Sequence, residues 1–153
     1  MVNFKGDFWL YTLIAGILGI ITLLIPAFGI IEGNNYKFVW VWNLYILTEK
    51  TGFIQPDDPL FNIGIATTTL IITGTTILLL TGLIDYLKGK KFNLFKIIGG
   101  VLLLIAPIVY LVAIEVEYEG FFWDYFDIYV GTILPFIAGG IAILAGIMDL
   151  THK

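Results

Sequence analysis

The order of apolar and charged residues divides the chain into four long apolar segments and the loops between them. No Asp, Glu, Lys, Arg or His occurs in residues 8–31, 60–84, 97–114 and 128–148, which are runs of 24, 25, 18 and 21 residues. A helix needs roughly 20 apolar residues to cross the hydrocarbon core of a bilayer, which is about 30 Å thick. The pattern therefore predicts transmembrane helices at about residues 8–31, 60–87, 95–114 and 128–149, with loops at about 32–59, 85–95 and 115–127.

Composition supports this interpretation. The chain is 59% hydrophobic and 13% charged over 153 residues. A soluble domain of this length cannot bury that much apolar surface. We therefore expect residues 1–153 to form a single membrane domain. The chain has no cysteine, which excludes disulfides and thiolate metal sites.

The distribution of lysine predicts the topology. The N-terminus, the 85–96 turn and the C-terminus together hold six Lys and three acidic residues, whereas the other two loops hold two Lys and nine acidic residues. Short loops rich in Lys stay on the cytoplasmic side. We expect an integral protein of the cell membrane with both termini in the cytoplasm. Anionic lipid head groups would contact Lys88, Lys90 and Lys91, and each Lys would contribute about 1 kcal/mol to the binding free energy.

The two external loops contain strand-like patterns. Residues 36–45 alternate so that one face of a predicted strand carries mostly aromatic side chains, namely Tyr36, Phe38, Trp40, Trp42 and Leu44. Residues 114–119 also alternate, and we expect them to continue the third helix as a strand that pairs with the first loop. A small external β-sheet or hairpin is predicted.

Small residues recur along each apolar segment. Close packing of such residues holds helices together in lipid, and this favours a left-handed four-helix bundle. An alternative is that one of the stripes serves homodimerisation. The predicted packing residues are Gly16, Gly19, Gly64, Gly74, Gly99, Gly100, Ala138, Ala142 and Gly146.

The apolar segments contain few residues that could take part in catalysis or metal binding. They hold no ionisable group, and the single histidine, His152, lies beside the C-terminus, so the sequence predicts no enzyme, cofactor, metal site or nucleic-acid partner. Asp85 and Asp149 end similar tetrapeptides 64 residues apart, which is a faint internal repeat or a chance similarity. We interpret both as solvated residues at helix ends. The acidic side chains of residues 115–127 are interpreted as a solvated face, because their spacing is not that of a calcium loop.

Residues 121–129 are largely aromatic. An aromatic belt at the membrane interface is one explanation. Recognition of a partner is the other, since binding energy concentrates on aromatic residues at protein interfaces. The candidate partner-binding residues are Trp40, Trp42, Tyr45, Phe122, Trp123 and Tyr125.

The run Trp-Val-Trp-Asn-Leu-Tyr at residues 40–45 resembles the Trp and Gly-Leu-Trp element of the claudin and peripheral-myelin-protein tetraspans. Four spans, internal termini and a larger first external loop are also similar to that superfamily. Asn43 replaces its glycine, Tyr45 replaces its second tryptophan, and its paired loop cysteines are absent. The resemblance implies an external sheet on a left-handed four-helix bundle, with adhesion, barrier or accessory functions and no catalysis.

The function predicted from these features is a non-enzymatic, claudin-like tetraspan that makes lateral or cell-surface protein contacts, with itself or another membrane protein. The alternative is a small structural or accessory subunit of a larger membrane complex. A small-solute pore or carrier, lined by the seven Thr of the second apolar segment, is a weaker third hypothesis.

Overall fold

Four α-helices carry most of the chain in the computed structural model, which describes residues 7–151. They are α1 (Phe8–Leu24), α2 (Pro59–Lys88), α3 (Asn93–Tyr118) and α4 (Val130–Thr151). The second, third and fourth predicted helices are confirmed to within four residues at each end. Three residues used in the charge and chemistry arguments lie outside the described residues, namely Lys5, His152 and Lys153.

Five short strands form one antiparallel sheet. They are β1 (Phe28–Glu32), β2 (Asn35–Val39), β3 (Leu44–Leu47), β4 (Lys50–Phe53) and β5 (Asp127–Ile128). Their order across the sheet is β4-β3-β2-β1-β5. Four strands come from the first connection between helices and one from the last, so the small sheet predicted from the two loops is confirmed. It lies where α1 and α3 end and where α2 and α4 begin, which we call the sheet end; the opposite end of the helices is the far end.

The prediction that the first helix reaches residue 31 is wrong. Helix α1 ends at Leu24, and the N–H of Ile25 makes the last helical bond to the carbonyl oxygen of Ile21 at 3.2 Å. Ile25 precedes Pro26 and takes an extended conformation (φ −103°, ψ 142°), as residues before proline prefer. The apolar run then continues as strand β1.

Two strand predictions also require correction. Residues 36–45 are two strands, because the chain turns between Trp40 and Leu44 with Asn43 at φ 70°. Residues 114–119 are not a strand: α3 continues to Tyr118 and ends at Glu119, whose φ is 48°. The second loop reaches the sheet through β5, which pairs with β1.

Local sequence explains where α2 begins and ends. Asp58 is the N-cap, and its side chain accepts a hydrogen bond from the N–H of Leu60 at 2.9 Å, while Pro59 occupies the first helical position. At the other end Gly89 adopts the left-handed conformation (φ 60°), which stops the helix. The hydroxyl of Tyr118 donates to Asp58 at 2.9 Å and ties the end of α3 to the start of α2.

The helices pack in a ring, in which α1 lies between α2 and α4, and α3 completes the circle. All nine predicted packing residues are buried, but Gly64 lies against Val41 and Asn43 in the turn between β2 and β3 rather than against a helix. Helices α3 and α4 approach each other closely. A Cβ added to Gly100 would lie 2.8 Å from the carbonyl oxygen of Gly139, and a Cβ on Gly139 would lie 2.6 Å from that of Gly100. The left-handed twist of the bundle stays a prediction.

Helices α2, α3 and α4, of 30, 26 and 22 residues, are long and apolar enough to cross a membrane. Helix α1 is apolar but shorter, with 17 residues. Large apolar side chains project from the outside of all four helices; examples are Ile17, Leu80, Val112 and Leu144, which are 50%, 56%, 56% and 60% exposed. Such a surface is expected to face lipid rather than water, which is consistent with an integral membrane protein.

Candidate functional site

The inner face of the sheet is part of the core. Phe28 on β1 is fully buried, with its ring centroid 5.2 Å from that of Tyr110 on α3 and 5.0 Å from that of Phe122. Phe122 belongs to a short 3-10 helix, Phe121–Asp124, and its ring also stacks on Phe126 at 4.8 Å. These aromatic contacts fasten the second loop to the sheet and to α3.

The outer face of the sheet, which we define as Ile31, Tyr36, Phe38, Trp40 and Phe53, is apolar and largely aromatic. Strand pairing places these residues on one face, because Ile31 lies opposite Tyr36, and Gly29 opposite Phe38. Phe53 lies opposite Leu44 of β3, whose carbonyl oxygen accepts a hydrogen bond from the N–H of Trp40. The Phe38 ring lies over Gly29, where an added Cβ would meet it at 2.5 Å. The Tyr36, Phe38 and Trp40 rings follow one another at 6.1 and 6.4 Å.

Much of the outer face is open to the surroundings. Ile31, Tyr36 and Phe53 are 62%, 38% and 58% exposed. The ring of Tyr129, which precedes α4, covers part of Phe38 at 5.4 Å. An exposed apolar face on a small sheet is typical of a surface that meets another molecule.

Two tryptophans attach the sheet to α1. The indole N–H of Trp40 donates to the carbonyl oxygen of Leu24 at 3.1 Å, and that of Trp42 donates to Leu23 at 2.7 Å. These carbonyls belong to the last turn of α1, where helical acceptors lack an intrahelical donor. The tryptophans therefore cap α1 as well as contributing aromatic surface.

The structure separates the other predicted partner-binding residues. Tyr45 lies on the inner face and is half-buried, while Trp123 is half-buried and donates its indole N–H to Glu115 at 2.5 Å. Tyr125 is 57% exposed, with the Lys37 ammonium 5.5 Å from its ring centroid. The prediction that Phe122 binds a partner requires correction, because this residue is only 5% exposed. It belongs to the core, since the second loop folds back under the sheet.

At the far end, four charged side chains form an ionic cluster, in which Lys96 and Asp149 are buried, Asp85 is largely buried and Lys91 is half exposed. The Lys96 ammonium lies 2.5 Å from Asp85 and 2.7 Å from Asp149, and the Lys91 ammonium lies 2.7 Å from the other oxygen of Asp149. The Lys96 side chain has no exposed surface, and those of Asp85 and Asp149 are 10% and 2% exposed. Two positive and two negative charges balance within the cluster.

The ionic cluster corrects the interpretation of Asp85 and Asp149 as solvated. Lys96 reaches both because it lies in the first turn of α3, beside the last turns of α2 and α4. The two residues that end the similar tetrapeptides thus meet on one ammonium group. The cluster is not evident from the sequence because Lys96 closely follows the turn lysines, although its spacing of three residues from Gly99 places it on the packed side of α3.

The three turn lysines differ in their surroundings. Lys88 and Lys90 are exposed and form no ion pair within residues 7–151, whereas Lys91 pairs with Asp149. The acidic residues near the sheet remain dispersed: within residues 7–151, no three His, Cys, Asp or Glu side chains lie close enough to hold a metal ion.

Neither a protein-family model nor a curated protein sequence matches this chain. The features of the molecule that bear on function are therefore the outer face of the sheet, the ionic cluster and the apolar outer surface of the helices. The resemblance to claudins stays a prediction from residues 40–45 and the predicted topology.

Proposed function

We propose that this chain is a non-enzymatic four-span protein of the cell membrane that binds another membrane protein, or a second copy of itself, through the outer face of its sheet. The observation that carries the proposal is the exposure of Ile31, Tyr36 and Phe53 on the apolar outer face of the sheet. Aromatic residues supply most of the binding energy at many interfaces. In this proposal both termini are cytoplasmic and the sheet is outside the cell.

The rigid attachment of the sheet supports this role. The Asn43 amide donates to the carbonyl of Phe61 at 2.9 Å, the Thr68 hydroxyl to that of Val41 at 3.0 Å, and the Thr132 hydroxyl to that of Ala27 at 2.8 Å. Two of these bonds join the turn between β2 and β3 to α2, and the third joins the residue before β1 to α4. A surface held in this way loses little conformational entropy when it binds, which favours affinity.

The length and position of α1 support four spans. At 1.5 Å per residue its 17 residues extend about 25 Å, which is near the lower limit for a transmembrane helix. Because α1 packs between α2 and α4, it shares their environment. Lysines at the far end and acidic residues near the sheet fit the proposed orientation.

A groove favours the alternative function, a subunit of a larger complex. It holds about 480 Å³ between α2 and α3 towards the sheet end, and its walls are mostly apolar. A transmembrane helix of another subunit fits such a surface by close packing. The lining includes Ile63, Ile108, Val109, Val112 and Val116.

Purification from native membranes in mild detergent tests the proposal and separates it from the alternative. The outer-face variant is Ile31→Ser/Tyr36→Ser/Phe53→Ser, and the matched groove variant is Ile108→Ser/Val112→Ser/Val116→Ser. We expect the outer-face variant to lose the co-purifying protein and the groove variant to retain it.

The reverse result would favour the subunit hypothesis. Retention of every co-purifying protein by the outer-face variant would contradict the proposed interface. Co-expression of two differently tagged copies distinguishes self-association from binding of another protein. Equal unfolding temperatures of the variants in detergent would show that the comparison reports binding rather than folding.

A further inference from the structure

A second groove, of about 250 Å³, lies between α2 and α3 near the far end. Its lining is apolar except for Thr81, whose hydroxyl donates to the carbonyl oxygen of Ile77 in its own helix. The groove is open to the outside, since Leu80 and Phe95 are 56% and 50% exposed. Its walls therefore present hydrocarbon and no free hydroxyl, which suits an apolar chain. The lining residues are Ile77, Leu80, Thr81, Ile84, Phe92 and Phe95.

The basic turn between α2 and α3 borders this groove. Phe92 belongs to both the turn and the groove lining. Gly89 ends α2 with φ 60°, and its N–H donates to the carbonyl of Asp85 at 2.9 Å, so the turn is tight. Because the ionic cluster is neutral and includes Lys91, the uncompensated positive charges of the turn are those of Lys88 and Lys90.

The start of α3 adds to the attraction for an anion. Its N-cap, Phe92, provides no side-chain hydrogen bond, and its first turn contains no acidic residue. The first N–H groups of a helix lack intrahelical acceptors and carry partial positive charge. In this 26-residue helix they lie beside the two free lysines and the groove.

We propose that the groove and the basic turn bind one anionic phospholipid, with an acyl chain along Leu80, Ile84 and Phe95 and the phosphate at Lys88 and Lys90. Charge complementarity and the apolar lining identify the ligand class. The site is independent of the outer face of the sheet. The three turn lysines differ in this site: Lys91 is paired with Asp149 and contributes little to binding of the phosphate.

Native mass spectrometry of the full chain in mild detergent tests the charged part of the site. The probes are phosphatidylglycerol and phosphatidylcholine with the same acyl chains. We expect one phosphatidylglycerol to remain bound and the Lys88→Gln/Lys90→Gln variant to bind it roughly 30-fold more weakly, from the typical contribution of a lysine near anionic lipid. The control, Lys37→Gln/Lys50→Gln, removes the same charge at the sheet end and should bind like the original protein.

A second comparison tests the apolar groove of the proposed lipid site. Leu80→Trp fills the groove, whereas Ile72→Trp places the same side chain on α2 outside it. We expect only Leu80→Trp to weaken phosphatidylglycerol binding, and inorganic phosphate not to compete. Equal binding of the two lipids, unchanged binding by the Lys88/Lys90 variant, or equal effects of the two tryptophans would overturn the proposal, as would competition by phosphate alone.

Discussion

Replacing Lys96 by Met should destabilise the protein strongly. The substitution keeps a long, flexible side chain but removes the ammonium that lies 2.5 Å from Asp85 and 2.7 Å from Asp149. Asp85 is then left without its partner at 10% side-chain exposure, while Asp149 keeps only Lys91. Breaking a buried ion pair by removing one partner costs about 3–5 kcal/mol, and we expect a loss of unfolding free energy in this range.

Two further variants separate charge from shape. Lys90→Met makes the same chemical change at an exposed position without an ion pair and should leave stability unchanged. The triple variant Asp85→Leu/Lys96→Met/Asp149→Leu replaces all three charged side chains by apolar ones. Because a buried ion pair can often be replaced by well-packed hydrophobic residues at little cost, we expect it to recover most of the loss seen with Lys96→Met alone.

The assay is reversible unfolding in mixed detergent micelles, followed by circular dichroism. A Lys96→Met protein as stable as Lys90→Met would refute the argument that the cluster holds the far ends of α2, α3 and α4 together. A triple variant no more stable than Lys96→Met would show that the loss comes from packing rather than from uncompensated charge.

Three other predictions follow from the structure. Gly139→Ala places a Cβ 2.6 Å from a carbonyl oxygen of α3 and should cost about 1–3 kcal/mol in the same assay, whereas Gly140→Ala, which meets nothing within 4 Å, should be neutral or stabilising. Trp42→Phe keeps an aromatic ring but loses the 2.7 Å bond to the carbonyl oxygen of Leu23, so we expect the unfolding free energy to fall by about 1 kcal/mol and the amides in the last turn of α1 to exchange faster. Since the chain contains no cysteine, single Glu49→Cys and Lys90→Cys variants test topology: a membrane-impermeant maleimide should label the first in intact cells and the second only after permeabilisation.

The helices were largely predictable because α2, α3 and α4 are bounded by charged residues or turn residues. The end of α1 was not, since Phe28, Ile30 and Ile31 continue the apolar run as a strand. A short apolar stretch cannot be assigned to helix or strand from periodicity alone. The alternation at residues 114–119 was misleading for a related reason. Helix α3 continues beyond the apolar segment, and because residues 115–117 are exposed there, their order of apolar and polar side chains does not have to follow the period of a helix.

The candidate sites were only partly predictable. Aromatic residues of the first loop drew attention to the sheet, but which face of it would be exposed depends on how the second loop folds, and that loop buries Phe122. Ile31 and Phe53 join the outer face through strand pairing. The ionic cluster joins Lys96 to Asp149, 53 residues away, and no local pattern encodes such a contact.

Photo-crosslinking in intact cells tests whether the outer face of the sheet binds a protein. A photoreactive amino acid is placed at Tyr36 or Phe53 on the outer face, and at the exposed control position Glu117 at the end of α3. We expect the same single protein to be crosslinked at both outer-face positions and not at Glu117. Crosslinks to lipid alone at Tyr36 and Phe53 would contradict it, because the outer face would then be a membrane-contacting surface rather than a protein interface.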